Sequence, residues 1–547
     1  MSVTDGESTE RDATEREAPN REPSDRVDVC VVGAGPAGGV VAHSLAARGH
    51  DVVVLEAGPR FSFEERIRRM ERHQRPAFDQ ADVWEMGGDR DAFRSSGDLN
   101  YPLNDVRVKG VGGTTLHWIG YTPRFHEKDF EMDSRYGLAD DWPIAYEDVR
   151  PYYTAAEREM GVAGGEDNPF APPREEAFPM DAFPPSHSDA SLSAACEELD
   201  ITTHSIPQAR NSEAYDDRSQ CVGYGTCHPV CPSGAKYSGD VHVRKAEEAG
   251  ARILDRVPVQ RLEHDDSGER VEAAVYATPD GEEHRQEARQ FVLAGGAVET
   301  PRLLLLSESS QYPDGLANSS GAVGRYFMDH LLHMTMGVVP EETRQHQVGF
   351  STAATHQFYD HEEPTPGSFF VAFLNYAGPS PVEAALENGA WGDDVVSAVS
   401  EEYGNHVGTE ALVEQLPDAE SRITLDTSQT DDHGNPVPDV AWSIGEHGVR
   451  TGERALEVQR EIMDEAGARI TWSTSPRQPL SGSHPMGTTR MGADPETSVV
   501  DERLRTHDLD NLSIASSSVF TTGGAMNPTL TIAALSLKAA DHVDADL

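Results

Sequence analysis

Three cysteines, Cys221, Cys227 and Cys231, crowd into the stretch CVGYGTCHPVCP of a 547-residue chain that holds five cysteines in all. Their spacing is C-x5-C-x3-C-P, and a proline after the last thiolate also closes the cluster loops of bacterial iron–sulfur proteins. Gly223, Gly225 and Gly234, with Pro232, would let the backbone wrap a small inorganic core. Three thiolates without a fourth suit a 3Fe-4S core, or a 4Fe-4S core completed by an exogenous ligand. Zinc would ask for a fourth ligand, and His228 stands too close to Cys227 in sequence to serve it comfortably. A disulfide would leave one thiol over. On the residues alone these readings stay open. Cys30 lies in an apolar run and reads as a buried small hydrophobe; Cys196 lies in a helical-looking stretch, and neither has an evident partner.

A second constellation begins at VDVCVVGAGPAGGVVAHSLAARGHDVVVLEAG. It reads as a buried strand, a glycine turn, a helix and a second strand ending in an acid. Gly33, Gly35 and Gly38 give G-x-G-x-x-G, in which the first glycine permits the turn, the second lets backbone approach a pyrophosphate, and the third lets helix and strand pack closely. The helix N-terminus then faces the phosphates, and Glu56 stands where a carboxylate would accept ribose hydroxyls. Strand, turn, helix, strand and acid in that order make a dinucleotide site the expectation.

Nucleotide-type signals recur far along the chain, which argues for FAD over an NAD enzyme with one contiguous nucleotide domain. VKGVGGTTLHWIG sets Gly110, Gly112 and Gly113 beside two threonines, suiting a backbone that passes close to a flat ring. FVLAGGAVETPRLLLL reads as strand, turn and helix with Pro301 in the first helical turn. LSIASSSVFTTGGAMNPTLTIAALSLKAADHV repeats the pattern, with Asn527 as N-cap and Pro528 at the first helical position.

Composition limits the partners. The formal charge is -49, from 94 acidic and 45 basic residues, and five of the basic ones are lysines. Such a field repels nucleic acid and anionic membranes. Many acids with few lysines resemble the proteins of salt-loving archaea. No apolar run reaches the roughly 18 to 20 residues of a membrane span. Residues 1–25 lack the apolar core of a signal peptide and read as a disordered acidic lead-in, so the fold is expected to begin near Arg26.

Taken in order, GxGxxG with Glu56, GVGGTT, GGAVETPRLLLLS, VGRYFMDH, HPMGTTRMG and MNPTLTIAAL resemble the glucose-methanol-choline (GMC) flavoprotein oxidoreductases from Val27 to His542. The resemblance implies an α/β fold: a Rossmann-like FAD-binding domain built from separated segments, with an inserted α+β substrate domain carrying a mostly antiparallel sheet. The corresponding boundaries are 26–335 for mainly FAD-binding residues including part of the substrate cap, 336–475 for mainly substrate-binding residues, and 476–547 for a C-terminal active-site and FAD segment. LPDAESRITLD and DDHGNPVPDVAW alternate as strands and are expected in the substrate domain.

The implied chemistry is oxidation of a CH–OH group by hydride transfer to flavin. His484 matches the family's base, and Asn527 matches the partner that holds the substrate oxygen. Asn527 and Pro528 would also aim a helix terminus at the flavin. Gly112, Gly113, Thr114 and His117 would line the flavin; His117 falls where some members attach FAD covalently and others only contact it.

The stretch around the cysteines is similar to FAD-dependent sugar and gluconate dehydrogenase subunits, which implies a 3Fe-4S cluster on Cys221, Cys227 and Cys231 as an electron exit. The substrate would be a sugar, sugar acid or polyol. A small helper subunit and a cytochrome or other acceptor would be the partners, and location would be cytoplasmic or peripheral to a membrane through a partner. An alcohol oxidase lacking the cluster, or a non-catalytic flavin redox carrier, are the alternatives.

Overall fold

In a computed structural model the described residues are 26–73, 80–344, 348–360, 367–375, 391–402 and 404–547. The expected lead-in 1–25 lies outside them, as do parts of 340–415, where substrate-selecting loops are expected.

The strand Val27–Val32 is apolar along nearly its whole length because parallel strands run on both sides of it. Val52–Leu55 pairs along one edge and the end of Glu283–Leu293 along the other. Arg252–Leu254 extends the sheet beyond Val52–Leu55, and Leu512–Ile514 pairs in parallel with Phe291–Leu293. Segments hundreds of residues apart thus build one sheet, as the recurring strand and turn signals anticipate. Helix Pro36–Ala47 packs against the helices Asp240–Glu248 and Thr529–Ala545. The first half of Glu283–Leu293 leaves the parallel sheet and joins an antiparallel meander with Val271–Ala277 and Val259–His264.

A second sheet is antiparallel throughout, in the order Arg469–Ser473, Leu331–Val338, His406–Val413, Phe369–Phe373, Ala353–Thr355, His204–Ser205. Strand alternation gives it two faces. Leu331, His333 and Thr335 are buried on one, where helix Gly445–Glu465 sends Gln459 to bond the His333 carbonyl and the Thr335 hydroxyl. Leu332 and Met334 point to the other, which fronts a cavity.

Two local expectations are corrected, and one stretch is placed more finely. The expected strands Arg422–Thr430 and Pro436–Trp442 form a hairpin outside the large antiparallel sheet, in a three-stranded sheet with Arg94–Gly97. Arg302 anchors it, reaching Asp431 at 2.6 Å and the Pro436 carbonyl at 2.9 Å. Alternation identifies a strand but not the sheet it joins. Pro301 sits in the second turn of helix Gly296–Leu306 rather than the first. The Ala297 carbonyl, which Pro301 has no N–H to serve, accepts from the Thr488 hydroxyl at 2.9 Å. Finally, helix Thr529–Ala545 has Pro528 at its N-cap, so Asn527 stands one residue before the cap and its side chain is turned elsewhere.

None of the five lysines is exposed: Lys128, Lys236 and Lys538 are buried, Lys109 and Lys245 half-buried. The outer surface therefore carries its positive charge on arginine. No helix among the described residues is long and apolar enough to cross a membrane.

Candidate active site

A cavity of about 670 Å3 runs from the glycine turn to the face of the antiparallel sheet. Gly33, Gly35, Glu56, Gly113, Thr114, His117, His484, Asn527 and Pro528 line it, so the sequence signals converge on one space. Gly38 and Gly112 do not line it; they shape its wall. Gly33 has φ +105°, and a Cβ on Gly38 would lie 1.9 Å from the Gly33 carbonyl oxygen, so helix and turn meet only because position 38 has no side chain. A Cβ on Gly35, by contrast, would meet only Gly113 Cα at 3.9 Å. That opening beside a helix N-terminus is the cradle a pyrophosphate requires.

The Glu56 carboxylate accepts from the Ala34 N–H at 2.7 Å and the Gly58 N–H at 2.8 Å, and burial raises its pKa. Each oxygen keeps a second lone pair for a ribose hydroxyl. The fit to FAD is good at this end of the cavity.

At the other end His484 is gripped from both sides of its ring. His330 Nδ1 lies 2.9 Å from His484 Nδ1, and Asn527 Nδ2 lies 3.2 Å from His484 Nε2. His330 Nε2 lies 3.1 Å from the Gly523 carbonyl oxygen, which can only accept. Nε2 of His330 must therefore carry its proton, leaving Nδ1 bare in the neutral ring. His484 Nδ1 then donates to it, and His484 Nε2 is left unprotonated, with a lone pair that accepts from Asn527 Nδ2.

Burial pushes His330 down to about 4, which keeps this relay neutral, and pushes His484 well below the ordinary histidine value, with the neighbouring His330 adding to the effect. Asp329 fixes the adjoining backbone. It accepts from the His484 N–H at 2.8 Å, from Tyr101 at 2.9 Å and from the Ser481 hydroxyl, and burial raises it to about 6. Sequence reasoning gave Asp329 and His330 no role. The segment VGRYFMDH carries them, but nothing in local spacing says that they meet a histidine more than 150 residues away.

The cysteine loop forms another part of the wall. His228, next to Cys227, lines the cavity, bonds the His117 carbonyl oxygen at 2.7 Å through Nδ1, and stacks on His117 with ring centroids 5.9 Å apart. Since a carbonyl only accepts, His228 Nδ1 is the donor. Lys236 is buried and donates to the carbonyls of Leu116, Trp118 and Cys227, strapping the loop to the strip that carries His117. Burial lowers it to about 7, against the pull of Cys231 and Cys227.

Cys227 and Cys231 are buried and Cys221 is half-buried; all three are free thiols. No group of three His, Cys, Asp or Glu side chains among the described residues is drawn together as a metal site. The surroundings nonetheless suit an anionic core. Arg210 lies close enough to Cys227 and Cys231, and Arg218 to Cys231, to interact with their charge. Both guanidinium groups keep Nε and Nη1 buried without a hydrogen-bond partner.

A glycine-turn nucleotide cradle, a second sheet across the cavity and a buried histidine pair in its wall are the frame of a flavin-dependent oxidoreductase. The chain belongs to the GMC oxidoreductase family: models of that family match residues 106–332 and 417–536, and an FAD dependent oxidoreductase model matches 28–68. It is 33% identical to the fructose dehydrogenase large subunit of Gluconobacter japonicus over 95% of this chain and 98% of that one. It is 30% identical to the 2-methyl-1,2-propanediol dehydrogenase of Mycolicibacterium austroafricanum over 95% of each. A solved formate oxidase of Aspergillus oryzae shares the fold, with a TM-score of 0.68 at 16% identity over 96% of this chain and 99% of that one.

Proposed function

We propose that this enzyme is a dehydrogenase that oxidises a CH–OH group of a sugar, sugar acid or polyol and passes the electrons to an external acceptor. The observation that carries the proposal is the unprotonated Nε2 of His484, a residue of the cavity wall, whose ring is fixed by His330 at Nδ1 and whose Nε2 accepts from the Asn527 amide, a donor that a substrate hydroxyl can replace. The substrate hydroxyl donates to Nε2, which takes its proton as the carbon gives up hydride. Asn527 Nδ2 steadies the substrate oxygen. Its Oδ1 is buried without a partner, which leaves an acceptor for a second donor brought by the ligand. Gly33, Gly35, Glu56, Gly113 and Thr114 would hold FAD, which would supply the hydride acceptor when bound, and His117 lines the same cavity on the cysteine side.

A 3Fe-4S cluster on Cys221, Cys227 and Cys231 would supply a one-electron exit. The contact of His228 with the cavity and the unsatisfied arginine donors support it. Between the first two cysteines Val222 and Tyr224 stand 68% and 52% exposed, an apolar tip suited to an acceptor protein. The fructose dehydrogenase relative is itself described as a large subunit, which supports a multi-subunit assembly here. The three thiols lie near enough to feel one another's charge but do not meet as a metal site among the described residues, which favours a second reading, a GMC enzyme whose three cysteines are structural.

The proposed base has a pH signature. Protonated His484 cannot accept the hydroxyl proton, and burial holds its pKa below the ordinary 6.5. The anaerobic rate of flavin reduction by substrate should therefore stay level from alkaline pH down through about 6.5 and fall only below it. An acid limb centred above 6.5 would assign the proton to another group.

A further inference from the structure

We propose that Glu410 recognises substrate hydroxyls and makes the enzyme select neutral sugars or polyols over sugar acids. This rests on the oxidative reading above and narrows its substrate class. Glu410 lies on the strand His406–Val413, directly across from Met334, while Leu412 lies across from Leu332. With a period of two these four side chains share the face opposite the covering helix, and all four line the cavity. Leu332 also pairs with Leu480, four residues before His484, so this face adjoins the proposed base. Glu410 is only 5% exposed, and its charge reaches Tyr121, another residue of the cavity wall.

Apart from His117, His228 and His484, the other acidic and basic side chains that line the cavity among the described residues pair with one another or stand near the Glu56 strand. Lys109 and Arg302 pair with Glu299, and Arg302 also pairs with Asp431, beside which stand Asp432 and His433. Arg90 pairs with Asp91, and Arg256 sits against Gly58, two residues from Glu56. Among the described residues, Glu410 shares this sheet face with Leu332, Met334 and Leu412. Vicinal hydroxyls can donate to a carboxylate, whereas a substrate carboxylate placed there meets like charge in a space shielded from water.

The test compares sorbitol and fructose with gluconate in anaerobic flavin reduction and steady-state turnover, using the holoenzyme in high salt. The expected result is kcat/KM at least about 100-fold higher for the best neutral substrate than for gluconate. Glu410→Gln should raise KM for the neutral substrate about tenfold, leave kcat within a few-fold and shrink the preference over gluconate. Met334→Lys, which sets a cation directly across the strand pair, should shrink that preference even if Glu410→Gln folds poorly. Equal use of gluconate by the unaltered enzyme, or a preference unchanged in both variants, overturns the proposal. If no sugar, sugar acid or polyol reduces the flavin, the oxidative reading falls and takes this inference with it.

Discussion

His484→Ala is expected to slow substrate-driven flavin reduction by about 100- to 10,000-fold, the range for loss of a positioned general base. The flavin should remain bound, because His484 stands at the opposite end of the cavity from the Gly33 turn and Glu56. The substitution removes the ring nitrogen that the relay keeps unprotonated: the Gly523 carbonyl sets the His330 proton, and His330 sets that of His484. Stopped-flow reduction under argon reads the effect directly. A variant that bleaches its flavin at the normal rate with every accepted substrate would remove His484 from the chemistry. A variant without flavin would mean that the ring serves binding instead.

Gly38→Ala should cost more than about 3 kcal/mol and abolish flavin retention. The added Cβ would sit 1.9 Å from the Gly33 carbonyl oxygen and 3.3 Å from Ala294 Cβ. Both neighbours belong to the crossing that positions the parallel sheet, so neither can swing aside as a flexible side chain could. Gly35→Ala makes the instructive contrast. Gly35 has φ -74°, an ordinary conformation for alanine, and a Cβ there meets only Gly113 Cα at 3.9 Å. That variant should unfold near the normal temperature yet hold little FAD, because its methyl group occupies the space the pyrophosphate needs. Thermal unfolding and flavin content measured together separate the two glycines. Equal stability in both variants would contradict the assigned roles.

Much of the dinucleotide end was legible because its chemistry is local. Turn, helix and acid follow one another from Val27 to Glu56, and each residue's role depends on neighbours a few positions away. The parallel sheet was legible for a related reason, since each returning segment repeats strand, turn and helix. The polar relay was not. His330 acquires meaning only when Gly482 brings the segment before His484 alongside it, bonding the His330 carbonyl at 2.9 Å. Asn527 shows the opposite limit: Asn-Pro before a helix is a good local capping signal, yet its side chain serves His484 instead. Glu410 was hidden for a simpler reason. In HVGTEALV it reads as one of three polar residues, beside His406 and Thr409, and only sheet register reveals which face it shares with Met334 and Leu412. The cysteine motif marked its own importance, but not that His228 and Lys236 would tie it to the flavin strip.

The most direct test of the whole account is anaerobic: iron analysis and low-temperature electron paramagnetic resonance of the protein purified in high salt, before and after substrate. The account predicts about three iron atoms per chain, bleaching of the flavin by a polyol or sugar, and loss of the oxidised three-iron signal as electrons leave the flavin. Flavin that bleaches fully in a protein containing no iron would contradict it, and would leave Cys221, Cys227 and Cys231 as structural thiols.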